Sequence, residues 1–386
     1  MPTEKAYRAR WVVPAESDPI PDATMIVVDG IIADITTNKV PTAEDLGSVA
    51  IIPGLVNAHA HLEFSHLTTP IRPALPFTDW IRAVIQSRQQ EVSRKSAISL
   101  GIEQLVQSGT TAVGEIATSP LSVSLLTECD LEGVVFQEVI GISKQAAREK
   151  GDQLVELLTD NSSRTNNLKL GLSPHAPYSV HPDLLQKIVE LSRSKQVPLA
   201  MHLIENRAER ELIAACEGEF RQFLEEMGLW PGDVWQDLRT IHDYLRLLAN
   251  ADSALVIHGN DLQADEITYL ATQPQMSVVY CPRTHHYFQH SPYPLPQLIE
   301  SGINVALGTD GRSSSPDLDL WQEVMHVRHI FPAMAPQQLL KLGTTNGSHA
   351  LGIPSDGLTM GEPARWSLIS LDKESSESDP WRLLFH

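Results

Sequence analysis

The chain has 386 residues, 42% hydrophobic and 20% charged, a composition that suits an ordinary water-soluble globular protein with a large core. Its net charge of −19, from 48 acidic and 29 basic residues, would repel a phosphate backbone, so no nucleic-acid partner is expected. Apolar runs fall short of the ~18 residues of a membrane span. MPTEKAYRARWVV lacks the layout of a secretory signal, and Cys129, Cys216 and Cys281 show no pairing pattern, so a cytoplasmic setting without membrane contact is expected.

The first 50 residues read as short antiparallel strands. YRARWVVP and TMIVVDGIIADITT are β-rich, and Val-Asp-Gly inside the second marks a hairpin. GLTMGEPARWSLISLD (357–372) reads likewise, so a small β-sandwich domain is expected from both termini, residues 1–53 and 351–386. The stretch DKESSESDP is expected to be a charged surface loop.

From residue 50 the pattern changes. AIIPGLVNAHAH (50–61), TTAVGEI (110–116), GVVFQEVIG (133–141) and LKLGLSPHA (168–176) are near-continuous apolar runs. So are VPLAMHLIE (197–205), ALVIHGN (254–260), SVVYCP (277–282) and NVALGTD (304–310). Strands buried on both faces of a parallel sheet read this way. Amphipathic stretches lie between them, such as PDLLQKIVELSRSKQ (182–196) and DEITYLATQP (265–274). Eight alternations predict an α/β fold, a (β/α)8 TIM barrel over residues 54–350. A doubly wound open sheet shares the alternation, but no G-x-G-x-x-G follows a strand. Two connections are long. Residues 65–108 carry prolines and then FTDWIRAVIQSR, a lid over a barrel mouth; residues 206–250 carry Trp230 and Trp235.

Barrel chemistry sits at the carboxyl ends of strands. Strand 1 ends in His59 and His61, strand 4 at His175, strand 5 at His202, strand 6 at His258 and strand 8 at Asp310. A lone strand-end histidine is commonly structural, and two histidines two apart simply share a face. Five of 15 histidines at strand ends, joined by one aspartate, are instead the ligand types for zinc or iron(II) at one mouth.

In their order and at their strand ends, PGLVNAHAH, LSPHAPYSV, MHLIE, VIHGN and ALGTD resemble the motifs of the amidohydrolase superfamily over most of the chain. The resemblance implies a metal-dependent hydrolase on a distorted barrel with a small β domain. It implies His59, His61, His202 and Asp310 as ligands of one divalent ion per chain, zinc before iron. Asp310 would also take a proton from the metal-bound water. Glu205, three residues after His202, would protonate a substrate ring nitrogen and pass a proton to departing ammonia. His258 would hydrogen-bond the attacking hydroxide, and His175 would touch the substrate.

Two-metal relatives carry a carboxylated lysine at the end of strand 4. Here that end is Ser173-Pro174-His175, with Lys169 near the strand's start, which favours one metal and the deaminase branch. An unrelated deaminase class uses H-x-E with P-C-x-x-C. His61-Leu-Glu63 matches its first half, but Cys281 has no second cysteine after it.

HLEFS and FTDWIRAVIQSR are similar to stretches of aminodeoxyfutalosine deaminases, and S-adenosylhomocysteine/methylthioadenosine deaminases share the frame. The implied function is hydrolytic deamination of an aminated purine nucleoside or related heterocycle, aminodeoxyfutalosine among them, by metal-bound hydroxide. A chlorohydrolase or cyclic-amide hydrolase on the same site is the alternative. A non-catalytic oligomeric scaffold is disfavoured by the intact residue set. Substrate contacts are expected from His175, Trp80, Arg283 and Arg312. The two arginines either meet a substrate carboxylate or pair with surface acids. The partner is a small molecule, and a homodimer is left open.

Overall fold

The computed structural model describes residues 3–89, 92–159, 167–232, 234–354, 357–373 and 377–385, so residues 374–376 of DKESSESDP lie outside the described residues. At the N-terminus, β1 (Glu4–Val12), β2 (Ile20–Val28) and β3 (Ile31–Thr36) form an antiparallel meander. The β2–β3 turn is Asp29-Gly30, with φ of 49° and 80°, the left-handed pair that a tight hairpin needs. β4 (Glu44–Asp45) and β5 (Val49–Pro53) pair in parallel with β1, and the C-terminal strand Trp366–Ser370 pairs antiparallel with β5. The expected terminal β domain is thus one six-stranded mixed sheet with its own core around Met25, Ile32 and Ile51.

The second sheet is the barrel. Its strands are β6 (Leu55–His61), β7 (Thr110–Ala117), β8 (Glu132–Val139), β9 (Leu168–Pro174) and β10 (Leu199–Leu203). β11 (Ala254–His258), β12 (Met276–Tyr280), β13 (Asn304–Leu307) and β14 (Asp310–Gly311) complete it. All pair in parallel, in the order β13-β12-β11-β10-β9-β8-β7-β6-β14. β13 and β14 are two halves of the eighth strand. The first half pairs with β12, and the second pairs Asp310 with Ala60 and Gly311 with His61. The break between them closes the barrel. At Gly308 an added Cβ would lie 2.7 Å from His59 Cβ and 2.8 Å from His59 O, so only glycine lets the strands meet there.

The domain boundary expected after residue 53 falls where the chain changes sheets, but one strand and the C-terminal segment differ from the sequence reading. AIIPGLVNAHAH is two strands, with Val49–Pro53 in the terminal sheet and Leu55–His61 in the barrel. The chain changes sheets at Gly54, where a Cβ would lie 2.2 Å from Thr111 Oγ1. An unbroken apolar run hides such a crossing, since both sheets bury it. The C-terminal segment 351–386 likewise does not all stay with the small sheet. Its last helix, Pro380–Leu384, returns to the barrel, where Phe385 stacks on Trp321 at 5.5 Å.

Both long connections fold over the carboxyl ends of the strands. The helix Phe77–Ser87 buries Phe77 against Phe288 and Phe220, at 5.0 and 6.0 Å between ring centroids. Phe220 belongs to the helix Glu219–Glu226 of the second connection and stacks on Tyr178 at 4.3 Å. The two connections are thereby joined into one wall around the barrel mouth.

Candidate active site

β6 presents His59 and His61 on one face, because residues two apart on a strand point the same way. β10 brings His202 beside them, and its Nε2 lies 3.2 Å from His61 Nε2, with the rings only 20° from parallel. β14 brings Asp310, whose Oδ1 lies 3.6 Å from Nε2 of both His59 and His61. The other oxygen, Oδ2, accepts a hydrogen bond from Ser314 Oγ at 2.7 Å. All four expected ligands therefore meet at one place.

The chemistry of this donor set fits a cation. His59 is wholly buried, and neither ring nitrogen has a hydrogen-bond partner. The His202 Nδ1 proton goes to the His175 carbonyl oxygen at 3.0 Å, which leaves a lone pair on Nε2. Burial, then the His202 imidazole, pushes His59 well below the usual histidine range; burial, then His59, does the same to His61. Burial lowers His202 to about 4. Neutral imidazoles with converging lone pairs repel one another, and a divalent ion would turn them into ligands. Lys169 lies at the opposite end of β9, where its Nζ bonds the Gly352 carbonyl, so it supplies no bridge to a second ion.

Beside this cluster stand Glu205 and His258. His258 Nε2 lies 3.6 Å from Glu205 Oε1, and both residues group with Asp310. Burial raises the Glu205 carboxyl well above its usual range, and the neighbouring Asp310 charge adds to this. Burial would also raise Asp310, but the facing His61 and His258 and the Ser314 hydroxyl outweigh it and hold it below the usual range. Two neighbouring carboxyls are thus pushed apart, one towards acid and one towards base. The backbone here is unusual: Ile204, His258 and Asp310 have φ of 55°, 71° and 57°. Such left-handed conformations are costly for a β-branched residue and persist only where neighbours impose them. Asn260 is one of those neighbours. Its N–H donates to Ile204 O at 2.8 Å, and its Nδ2 donates to Glu205 O at 2.9 Å.

Above the polar floor lies a cavity of about 230 Å³, lined by His61, His175, His202, Glu205, His258 and Asp310 below and by apolar side chains of both connections above. It is smaller than the roughly 300–1,000 Å³ of drug-sized pockets, so it suits one small ligand. A family model for amidohydrolases matches residues 50–380. The chain belongs to the amidohydrolase family.

Within that family, the chain is 28% identical to the aminodeoxyfutalosine deaminase of Deinococcus radiodurans, over 84% of this chain and 80% of the relative. It is 26% identical to the 5-methylthioadenosine/S-adenosylhomocysteine deaminase of Pyrococcus furiosus, over 90% of this chain and 82% of the relative. The crystal structure of Helicobacter pylori aminofutalosine deaminase shares its fold, with a TM-score of 0.85 and 22% identity over 100% of this chain and 96% of that one.

The substrate residues expected from sequence divide in two. His175 and Trp80 line the cavity of this amidohydrolase. Arg283 and Arg312 do not line it, and the expectation for them is corrected. Arg283 is spent on Glu323 at 2.6 Å and on Asp317 at 2.6 and 3.0 Å. Arg312 Nε donates to Leu67 O at 2.9 Å. Two residues on the cavity lining and one beneath the site went unnoticed in the sequence. Arg88, at the end of the lid helix, lines the cavity and lies 4.8 Å over the Phe64 ring. Glu138 is the next-to-last residue of β8, in the run GVVFQEVIG, where a carboxylate near a strand end was the available signal. Glu209, buried below the site, accepts a hydrogen bond from Ile204 N. Its spacing after Glu205 carries no motif. Glu63, whose carboxylate accepts from Thr118 Oγ1 at 2.6 and 2.7 Å, stands outside the histidine groups.

Proposed function

We propose that the protein is a mononuclear metal-dependent aminohydrolase that removes the amino group of a purine nucleoside. The observation that carries this reading is Glu205: a carboxyl that burial pushes towards its acid form, beside a cation-fitting cluster, on the floor of a small cavity. Deaminating an aminopurine requires a proton at a ring nitrogen, water at the amidine carbon, and a proton for the leaving ammonia. His59, His61, His202 and Asp310 would hold the ion. Zinc suits three imidazoles and one carboxylate, and when bound it supplies Lewis acidity that lowers the pKa of water. Glu205 donates its proton to the ring nitrogen, drawing electrons from the carbon under attack. Asp310, ionised and steadied by Ser314, takes the proton of the attacking water. His258 hydrogen-bonds the oxygen being added. The Glu205 carboxylate so formed takes the proton of the added hydroxyl and passes it to the departing amine, and the proton held by Asp310 restores Glu205 as product leaves. The deaminase names of the relatives support the same reading.

The wall narrows the substrate. Trp80 offers a ring face for a purine, and its Nε1 is held by Ser313 O at 3.2 Å. Arg88 is the arginine on the cavity lining and offers a two-pronged site for a carboxylate. A carboxylated 6-aminopurine nucleoside such as aminodeoxyfutalosine suits that arrangement, with Arg88 in the part first given to Arg283 and Arg312. The test is ammonia release from zinc-loaded protein offered adenosine, methylthioadenosine, S-adenosylhomocysteine and aminodeoxyfutalosine. Release from at least one is expected. No release from any of them, with chloride release from a chlorotriazine, would return the site to the chlorohydrolase reading.

A further inference from the structure

His258 is held in a strained turn. Its φ of 71° lies in the left-handed region, and Gly259 N–H reaches back across it to Ile257 O at 3.2 Å. A one-residue closure with positive φ is the rare, strained form of the γ-turn. Such a conformation persists only where neighbours impose it. Gly259 N–H also donates to Leu203 O at 3.1 Å, which steadies the residue after His258 but does not touch the His258 carbonyl.

That carbonyl accepts a hydrogen bond from Tyr293 Oη at 2.8 Å. Tyr293 lies in the connection between β12 and β13, two residues before the helix Leu295–Glu300, and is buried. Its ring stacks on Tyr280 of β12 at 3.7 Å and 14°, and the His285 ring stands edge-on to it at 5.6 Å. Stacking fixes the plane of the phenol, so its O–H is aimed at one oxygen. Burial raises Tyr293 well above the usual phenol range and so keeps the donated proton in place. The stack contains its own contrast. Tyr280 is also buried, yet its hydroxyl has no hydrogen-bond partner among the described residues. Of two parallel phenols, one grips the backbone of a site residue and the other grips nothing.

We propose that Tyr293 is a positioning residue: its hydroxyl holds the His258 carbonyl in the left-handed turn and thereby aims the His258 ring, whose Nε2 lies 3.6 Å from Glu205 Oε1, at the oxygen added to the substrate. The proposal rests on the aminohydrolase reading for what His258 does, but not for what holds it. Without the hydroxyl, the carbonyl is buried unpaired and the turn loses a contact that offsets its strain. A catalytic ring moved by about 1 Å can cost ~10²-fold in rate while substrate still binds.

Tyr293→Phe keeps the ring and its stack and removes only the hydroxyl. Tyr280→Phe removes the idle hydroxyl of the same stack. On zinc-loaded protein, Tyr293→Phe should lower kcat for ammonia release roughly tenfold or more, with KM and ion content close to the parent's. Tyr280→Phe should leave all three unchanged. In a His258→Ala background Tyr293→Phe should cost nothing more, because the group it aims is gone. Nitrogen NMR of histidine-labelled protein reads the ring directly. The His258 signal, assigned by its loss in His258→Ala, should shift in Tyr293→Phe and stay in place in Tyr280→Phe. An unshifted signal, an unchanged kcat in an active enzyme, a loss that tracks ion content, or the same loss with and without His258 overturns the proposal. So does a Tyr293→Phe protein that does not fold, since the bond then serves the fold rather than His258. A shifted signal with no ammonia from variant or parent upholds the positioning and sinks the deaminase reading.

Discussion

The floor of the cavity and its wall are built by opposite rules. The floor is made of strand ends. His59, His202, His258 and Asp310 are at most 5% exposed, and each lies in the carboxyl-terminal part of a barrel strand, Asp310 in the second half of the eighth. The wall comes from two insertions, and its contacts are rings and aliphatic chains such as Trp80, Ile81, Phe223 and Leu224. Buried polar groups need directed partners, so a floor substitution leaves something unpaired. Apolar contact is non-directional and tolerates exchange. Chemistry therefore belongs to the floor and substrate choice to the wall.

The sharpest test of the floor is His59→Ala. It should lose the ion and all measurable turnover, while elemental analysis of the parent finds about one ion per chain. Two tightly held ions would break the single-centre floor. Next comes Glu205→Gln. The amide can hydrogen-bond but cannot deliver a proton, so the ion should stay and kcat should fall by ~10²–10⁴-fold. A kcat near that of the parent would take Glu205 out of the proton path.

The same contrast explains what could be read from sequence. HAH, MHLIE, VIHGN and ALGTD were legible because a strand end is a fixed address: the residue that closes an apolar run reaches the mouth. Barrel closure through Asp310 and Ala60 follows from eight strands. The wall has no such address. Arg283 and Arg312 lie close in sequence to floor residues but are turned away by Glu323 and the Leu67 carbonyl. Arg88 reaches the cavity only because the helix Phe77–Ser87 folds back over the mouth, a tertiary fact with no local sign. Glu138 was passed over because its run contains no histidine. AIIPGLVNAHAH read as one strand because neither sheet interrupts the apolar pattern, although the expected domain boundary after residue 53 falls at the crossing.

Arg88→Met tests the wall. Arg88 is exposed as well as cavity-lining, so its pairing with an acid is screened. KM for a carboxylated nucleoside should rise roughly tenfold, below the full value of a buried charge-assisted bond. KM for adenosine and kcat for both should hardly move. Equal loss for both substrates would show that Arg88 supports the floor, and the division between the two regions would blur at the lid.

Glu209 joins the regions, and its effect should be the smallest. Its backbone lies in the insertion helix Arg207–Ala215, while its carboxyl reaches under the floor to the N–H of Ile204, the residue before Glu205. The other oxygen, Oε2, is buried without a partner. Burial raises the carboxyl from 4.5 to about 8, against the opposing pull of the Ile204 N–H and Arg210. At neutral pH the folded protein thus holds a proton here that the unfolded chain has lost. Between those two values the folded state binds more protons, so this contribution to stability is full at low pH and fades as pH rises to about 8. At about 1.4 kcal/mol per pH unit, reduced for local relaxation, the loss between pH 6 and 8 is on the order of 1–2 kcal/mol. Glu209→Gln removes the titration but keeps an oxygen for Ile204 N–H and places an amide where the acid O–H stood. Urea denaturation should therefore show the variant gaining on the parent as pH rises, with kcat at pH 7 within a few-fold. If the two stability profiles stay parallel, Glu209 is ionised in the fold, and the wall is tied to the floor by charge rather than by a neutral hydrogen bond.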